Sequence, residues 1–227
     1  MGRDVPHEAS PGPATTPTVV VPEVREYTRI NAEVARLLDL GATRVRLAGV
    51  EGQRLLLAGL AGPWSATVVV EGRAGPELAA GMDAPGLTVV CHGDALDGAG
   101  SNLKSGRLWV LGDAGDAVGY AQAGGAIVVA GAAGHRAGLN MNDGVLILSG
   151  AVGRLAGERQ AGGRIFVKEG HAGPHLGHGR RGGRLVVLTM PLPDDPADLD
   201  SHRAALRGME EWRVGPWPGS AAGVRME

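Results

Sequence analysis

The sequence predicts an all-β protein, a right-handed parallel β-helix of about six to seven coils, and three observations support this prediction. Short apolar runs end in glycine at a nearly constant period of about 19 residues, at Gly72, Gly93, Gly112, Gly131, Gly150 and Gly170. Glycine contributes 39 of the 227 residues, whereas aromatic residues contribute only 3%. A stack of near-identical coils is filled by columns of valine, isoleucine and leucine and needs few rings. The right-handed form follows from the usual handedness of parallel crossovers.

Further glycines follow most of these positions, at +3 and +7 from the first. They complete the set of predicted corner glycines, with Gly115, Gly119, Gly134, Gly138, Gly153, Gly157, Gly173 and Gly177. Glycine is expected in such columns because φ is positive there, or because a neighbouring backbone comes too close for a Cβ atom. Valine at Gly134 or Gly153 is expected to disrupt a corner and destabilise the fold. The loss of unfolding free energy is expected to exceed about 1 kcal/mol where φ is positive.

The strands lie between the glycine corners, and the repeat decides which of their residues stack. Because paired strands are about 4.8 Å apart, one predicted column contains Val68, Val89, Leu108, Ile127 and Leu146. The adjacent column contains Val69, Val90, Trp109, Val128 and Ile147. Side chains alternate along a strand, and therefore only one of these columns points into the core.

Three regions of the chain differ in composition. Residues 1–24 are rich in proline, threonine and serine, which predicts a flexible tail. Residues 25–190 contain the β-helix domain, with a helix at about 28–40 that would cap one open end of the solenoid. Residues 191–227 form a C-terminal extension, in which a proline-broken connector precedes a short helix near Ala197–Trp212.

An apolar stripe predicts the N-terminal helix. Its members stand at i, i+4, i+7 and i+8, at Ile30, Val34, Leu37 and Leu38. Thr28 or Asn31 is expected to cap the start of this helix, and Gly41 suits the position just after its end. The alternating residues of Thr43–Ala48 then predict a strand that leads into the coils.

Composition excludes several classes of function. The formal net charge of −2 gives no whole-chain attraction to nucleic acid or to an anionic membrane. No stretch approaches about 18 consecutive apolar residues, and the first residues lack a signal-peptide pattern, so a soluble, cytoplasmic protein is expected. Cys91 is the only cysteine and lies in an apolar strand, which predicts a small buried hydrophobic residue and no internal disulfide framework.

The residues that suggest chemistry have structural explanations. His171, His175 and His178 have spacing that a zinc site could use, but glycine corners reorient the chain between them, which favours solvated turn histidines. Four aspartates repeat one coil apart, at Asp94, Asp97, Asp113 and Asp116. They are expected to cap turns, and the alternatives are a weak cation site or a surface that binds a basic partner. The glycine-rich strings resemble nucleotide loops, but no helix follows to bind a pyrophosphate. No catalytic, cofactor-binding or metal-ligating residue is predicted.

Several segments together resemble a known family. They include INAEVARLL at 30–38, GPWSATVVVEGRAG at 62–75 and GRLWVLGDAGDAVGYAQAGGAIVVAGAAGHRAGLNM at 106–141. These segments resemble the GXGXG domain family, over about residues 28–190. The family includes the C-terminal β-helix domain of the glutamate synthase large subunit, its stand-alone form known as domain 3, the β-helical subunit of formylmethanofuran dehydrogenase and the small subunit of N-methylglutamate synthase.

The resemblance implies a non-catalytic structural subunit of a glutamate-synthase-like complex in nitrogen metabolism. Such a subunit links a glutamine amidotransferase chain to an FMN-dependent synthase chain, and FMN and an iron–sulfur cluster are expected on that partner, with no cofactor in this chain. The alternative is a scaffold in a one-carbon complex, like formylmethanofuran dehydrogenase or a formyltransferase/hydrolase complex. An independent enzyme, such as an esterase, is a third and weaker alternative because the sequence has no nucleophile motif.

Tryptophan marks the candidate interfaces, because the chain contains few aromatic residues. Trp109 stands in a strand column and would face outward if Leu108 and Val110 face the core. An exposed tryptophan on a sheet face is typical of an interaction hot spot. Trp212 and Trp217 lie in the C-terminal extension, which is too polar to form a core of its own.

Overall fold

The computed structural model describes residues 16–21, 26–168 and 170–188, and these residues form a parallel β-helix. One nine-stranded sheet runs through it, with every strand paired in parallel to the next strand in the chain. The elements in order are β1 (Thr18–Val20), α1 (Tyr27–Asp39), β2 (Arg44–Glu51), β3 (Ala66–Arg73), β4 (Asp83–Cys91), β5 (Ser105–Val110), β6 (Ala123–Val129), β7 (Asp143–Leu148), β8 (Arg164–Lys168) and β9 (Arg184–Leu188). The predicted β-helix is confirmed.

The strand register is the one that the repeat predicts. Val68 pairs with Val89, and the same column continues through Leu108, Ile127, Leu146, Ile165 and Leu185. This column points into the core, where its members are buried. Several strands include the glycine corner that precedes them, because residues beside these corners already pair with the preceding coil.

Each coil closes through a turn with an unusual backbone. Three alternate residues of this turn have positive φ, from Leu55, Leu57 and Gly59 in the first such turn to His175, Gly177 and Gly179 in the last. The pattern occurs seven times in the described residues, once per coil. Between the strand and the turn of each central coil, one residue forms an isolated β-bridge to the equivalent residue of the next coil. These residues are Ala74, Ala95, Ala114, Ala133 and Val152.

Helix α1 packs its apolar stripe against the core beside the first coil. Ile30, Val34 and Leu38 are buried as predicted, and Gly41 follows the helix with φ of +88°. The predicted N-terminal caps were wrong: Glu26 occupies the N-cap position and its side chain makes no capping hydrogen bond. Asn31 lies within the helix, and its side chain serves the first coil instead.

Asn31 joins the helix to the turn of the first coil. Its Nδ2 donates to the Leu55 carbonyl at 3.0 Å, and its Oδ1 accepts from the Leu57 amide at 2.7 Å. The Trp64 indole also donates to Asp39 Oδ1 at 2.8 Å, at the last residue of the helix. Buried amides without partners cost about 1–3 kcal/mol each, so these bonds fix the helix on the solenoid.

The prediction of a tail over residues 1–24 was wrong for Thr18–Val20, which form β1 and pair with β2. Strand β1, which contains Val19 and Val20, extends the sheet by one strand because it pairs with the edge of β2 that would otherwise be unpaired. Residues 1–15, 22–25, 169 and 189–227 lie outside the described residues. The predicted C-terminal helix and the tryptophans Trp212 and Trp217 fall in that part.

Candidate interaction surface

The predicted corner glycines fall into two structural classes. Positive φ occurs at Gly72, Gly119, Gly138, Gly157, Gly170 and Gly177. The others have ordinary φ and face the preceding coil closely, at Gly93, Gly112, Gly115, Gly131, Gly134, Gly150, Gly153 and Gly173. Positive φ is therefore not the reason for glycine at Gly134 and Gly153. At both, the atom that a Cβ would meet belongs to the coil below.

The four aspartates act as turn caps that connect successive coils. Asp94 Oδ1 accepts from the Asp113 amide at 2.9 Å, and Asp113 Oδ1 accepts in turn from the Ala132 amide at 2.7 Å. A parallel series joins Asp97 to the Asp116 amide at 2.9 Å and Asp116 to the His135 amide at 2.7 Å. Carboxylates thus satisfy amides that the strand ladder does not reach.

These aspartates also explain why glycine accompanies them. A Cβ on Gly134 would meet Asp116 Oδ1, and a Cβ on Gly131 would meet Asp113 Oδ1. The carboxylate folds back toward the next coil and occupies the space that a side chain would need there. The string GDAG at 112–115 therefore contains two linked features: Asp113 accepts from the next coil, and the glycines leave room for the acceptors of the previous coil.

The three histidines lie in the last turn without forming a common site. His171 is half-buried, His175 is exposed with φ of +61°, and His178 is exposed. Within the described residues, no group of three or more histidine, cysteine, aspartate or glutamate side chains is arranged to hold a metal ion.

A second hydrophobic cluster lies on the outer side of the sheet. It follows the register column Val69, Val90, Trp109, Val128, Ile147, Phe166 and Val186, which we call the outer column, and every member except Val69 belongs to the cluster or packs against it. Leu108 and Val110 belong to the core, so Trp109 faces outward as the alternation predicts. Trp109 is only 1% exposed, however, so the expected exposed hot spot is not present at this residue.

The outer column has a polar boundary at the first coils. Arg46 stands at its register position in β2, and its guanidinium forms two hydrogen bonds with the Glu71 carboxylate, at 2.9 and 2.7 Å. These hydrogen bonds hold the pKa of Glu71 below its usual value and raise the pKa of Arg46. The apolar part of the outer face therefore begins beyond this pair.

Cys91 is buried in β4, as predicted. Its thiol points toward the carbonyl oxygens of Gly72 and Asp94, at 3.7 and 3.5 Å. Burial raises the pKa of this thiol, which keeps it protonated and poorly nucleophilic near neutral pH.

Two buried glutamines were missed by the sequence analysis. Gln122 Nε2 donates to the Gly124 carbonyl at 2.9 Å, and Gln160 Nε2 donates to the Gly162 carbonyl at 2.9 Å. Both side chains are fully buried and also reach the next strand, at Val145 and Arg184. The repeated string QAGG, two coils apart, is the sequence signal that identifies them.

Comparison with known proteins gives no relative: no protein-family model, curated protein or solved structure matches this chain. Within the described residues, no helix has both the length and the apolar character needed to cross a bilayer.

Proposed function

We propose that this chain is a non-catalytic structural subunit of a glutamate-synthase-like complex. In this proposal it holds a glutamine amidotransferase chain and an FMN-dependent synthase chain in a fixed relation, in the cytoplasm. The resemblance of its coils to the GXGXG domain family supports the proposal. FMN and the iron–sulfur cluster belong to the synthase partner, since a cluster needs several cysteine ligands and this sequence has one cysteine.

The observation that supports a scaffold best is the unbroken parallel ladder from β1 to β9. Eight strand spacings of about 4.8 Å give this ladder a length of about 38 Å. Backbone pairing, the aspartate ladders and the buried glutamines all connect one coil to the next. A body linked in this way transmits position along its axis with little deformation, as a spacer between two active sites must.

The first experiment identifies the partners. The tagged chain is purified from its native host, the companion proteins are identified by mass spectrometry, and the eluate is scanned for flavin absorbance. An amidotransferase together with a yellow FMN-bearing synthase supports the proposal. Companions that act on formyl groups would move the chain to a one-carbon complex, and a colourless solitary chain would contradict both assignments.

A second experiment tests the coupling role directly. Glutamate formation by the two partner chains is measured with glutamine and, separately, with ammonia as the nitrogen source, in the presence and absence of this chain. A scaffold that aligns two sites raises the glutamine-dependent rate and leaves the ammonia-dependent rate unchanged, because free ammonia needs no neighbouring amidotransferase. Equal effects on both rates would contradict the coupling role.

A further inference from the structure

The closing turns of successive coils are joined by hydrogen bonds between backbone groups. In each turn that a further described coil follows, the first and third residues with positive φ donate their amides to carbonyl oxygens of that next coil. Ala117 thus donates to His135, and Ala121 donates to Leu139, both at 2.8 Å. The same pair of bonds occurs in every earlier and later turn up to the last, at 2.7 to 2.9 Å. Each turn is therefore a donor surface for the coil that follows it.

The two ends of the rod differ in how their terminal donors are satisfied. In the first turn, the amide of Leu57 would donate to a preceding coil, and Asn31 Oδ1 of helix α1 accepts from it instead, at 2.7 Å. In the last turn, residues 174–181, which we call the end turn, the forward donors are the amides of His175 and Gly179. Both residues are exposed, and among the described residues no further coil offers them acceptors. Unpaired backbone donors of this kind are a site at which another chain can add to a stack.

The end turn also has an arginine at a position that is uncharged in the preceding coils. The position of Arg180 holds leucine, methionine or glutamine there. Residues 180–183 read RRGG, whereas residues 160–163, one coil earlier, read QAGG. Gln160 donates from its side chain to the Arg184 carbonyl of the next coil, at 3.2 Å. A longer and charged donor at this position of the last coil suits an acceptor that lies beyond the rod.

The Arg180 guanidinium lacks an acceptor within the described part of the chain. Its Nη1 atom is buried and has no hydrogen-bond partner there. Burial lowers the pKa of Arg180, whereas a carboxylate beside it would raise that pKa. The guanidinium nevertheless stays protonated. It is therefore a charged donor that a carboxylate from outside would satisfy.

The surroundings of Arg180 are basic. Arg181 and Arg184 are exposed, and residues 170–188 contain no aspartate or glutamate. Arg159 of the preceding coil lies against the end turn, with its Cγ 3.6 Å from the place of a Cβ on Gly179. A local concentration of positive charge attracts acidic groups even on a chain with a formal net charge of −2.

We propose that the end turn binds an acidic segment of a partner protein. The amides of His175 and Gly179 donate to oxygens of this segment, as their equivalents donate to the next coil, while Arg180 and Arg181 pair with its carboxylates. A peptide fits the end turn better than a nucleic acid, because peptide carbonyls are the acceptors that the same donors meet in each earlier coil. The inference does not depend on the proposed function, since it concerns the chemistry of one end of the rod.

The test uses the full chain and a short fluorescein-labelled peptide in which aspartate alternates with threonine, with binding followed by fluorescence anisotropy. The end-turn variant is Arg180→Gln with Arg181→Ala, which copies the glutamine and alanine of residues 160–161 and so keeps a pair that the coil already accommodates. The matched control is Arg44→Gln with Arg54→Gln, which removes two exposed positive charges from the first coils.

The unmodified chain and the control are expected to bind the peptide equally, and the end-turn variant about tenfold more weakly. Added salt should weaken the binding, because the contacts are charged and lie at the surface. Absence of binding to the unmodified chain would overturn the proposal, and so would an equal loss of affinity in both variants. Tighter binding of a thymidine oligonucleotide than of the peptide would assign the surface to nucleic acid and overturn it as well.

The chain has an acidic stretch of its own at residues 194–200, and a further variant tests whether it competes for the end turn. This variant combines Asp194→Asn, Asp195→Asn, Asp198→Asn and Asp200→Asn. Equal affinity for the peptide before and after this change supports a partner protein as the ligand. Binding that occurs only after the change would assign the end turn to the chain's own acidic stretch and overturn the proposal.

Hydrogen exchange tests the backbone contacts without any substitution. In the unmodified chain, the amides of His175 and Gly179 should exchange rapidly, and saturating peptide should slow their exchange several-fold. The equivalent amides of Leu155 and Arg159 are the internal reference, because they already donate to carbonyls of the end turn and should exchange slowly throughout. Unchanged exchange at His175 and Gly179 in the presence of the peptide would overturn the proposal.

Discussion

Gly134 and Gly119 belong to two glycine columns that run along the rod, and the two columns contain glycine for different reasons. Gly119 has φ of +68°, and the same column holds Leu57 and Ala79, also with positive φ. Gly134 has ordinary φ, but a Cβ there would lie 2.8 Å from the backbone nitrogen of Asp116 in the coil below. The first column depends on backbone conformation and the second on space.

An exception within the second column supports this distinction. Leu96 occupies the position equivalent to Gly115 and Gly134, and the coil below it has Pro76 where the later coils have Asp97 and Asp116. Proline has no side-chain acceptor for the coil above, whereas Asp97 and Asp116 accept hydrogen bonds from it. Steric exclusion at Gly115 and Gly134 therefore comes from the capping carboxylate together with the backbone, and not from the period itself.

The largest expected effect is that of Gly134→Ala. The new methyl group must displace the backbone of the coil below and the Asp116 carboxylate, so we expect a loss of about 3 kcal/mol of unfolding free energy, the upper range for overpacking. Chemical denaturation followed by circular dichroism measures it. A loss smaller than that of Gly119→Ala would contradict the steric explanation for glycine at this position.

A double-mutant cycle then separates the steric contribution of the Asp116 carboxylate from that of the backbone of the coil below. Asp116→Ala alone removes one acceptor for the His135 amide and should cost about 1 kcal/mol. In that background Gly134→Ala should cost less than in the unmodified chain, by about 1 kcal/mol of coupling between neighbouring residues. Additive costs would show that the backbone alone excludes the side chain.

Gly119→Ala tests the conformational column. Its Cβ would meet side-chain atoms of Gln122 and Ile127 at 3.3 and 3.4 Å, which can adjust, so the main cost is that of positive φ. We expect a loss of about 1 kcal/mol, measured by the same denaturation. A loss of the size seen for Gly134→Ala would mean that space matters in this column too.

The smallest effect is expected for Gly81→Asn. Gly81 has φ of +65° with no atom within 4 Å of a Cβ, and asparagine already occupies the equivalent positions Asn102 and Asn140 with positive φ. Asparagine tolerates this conformation better than other side chains, so stability should change by less than about 0.5 kcal/mol. Gly81→Val is the matched control, and it should be clearly destabilising because a β-branched residue does not tolerate positive φ.

The structure confirms the expectations that depend on periodicity. The register of both strand columns follows from one repeat length, because a parallel ladder stacks equivalent residues. The helix bounds, Tyr27–Asp39, lie within two residues of the predicted ones, since an apolar stripe and a following glycine mark them. The aspartates act as the turn caps that were expected.

The misses concern features that depend on neighbours in space. Thr28 and Asn31 are both acceptable capping residues, but Asn31 instead satisfies backbone groups near Leu55 and Leu57. The sequence also gives no sign that leucine adopts positive φ at these two positions. Only the closed turn of the coil requires that conformation; Leu57 is fully buried there, and Leu55 is half-buried.

The architecture follows from the sequence alone, because a period of about 19 residues with alternating apolar strands can bury its side chains only by stacking. The sequence also determined which residues share a column. The tertiary structure decided the reason for each glycine, since φ and the distance to the coil below appear only once the coils are closed. It likewise decided the burial of Trp109, because alternation sets the side of the sheet on which a residue lies, whereas exposure depends on what packs over that side.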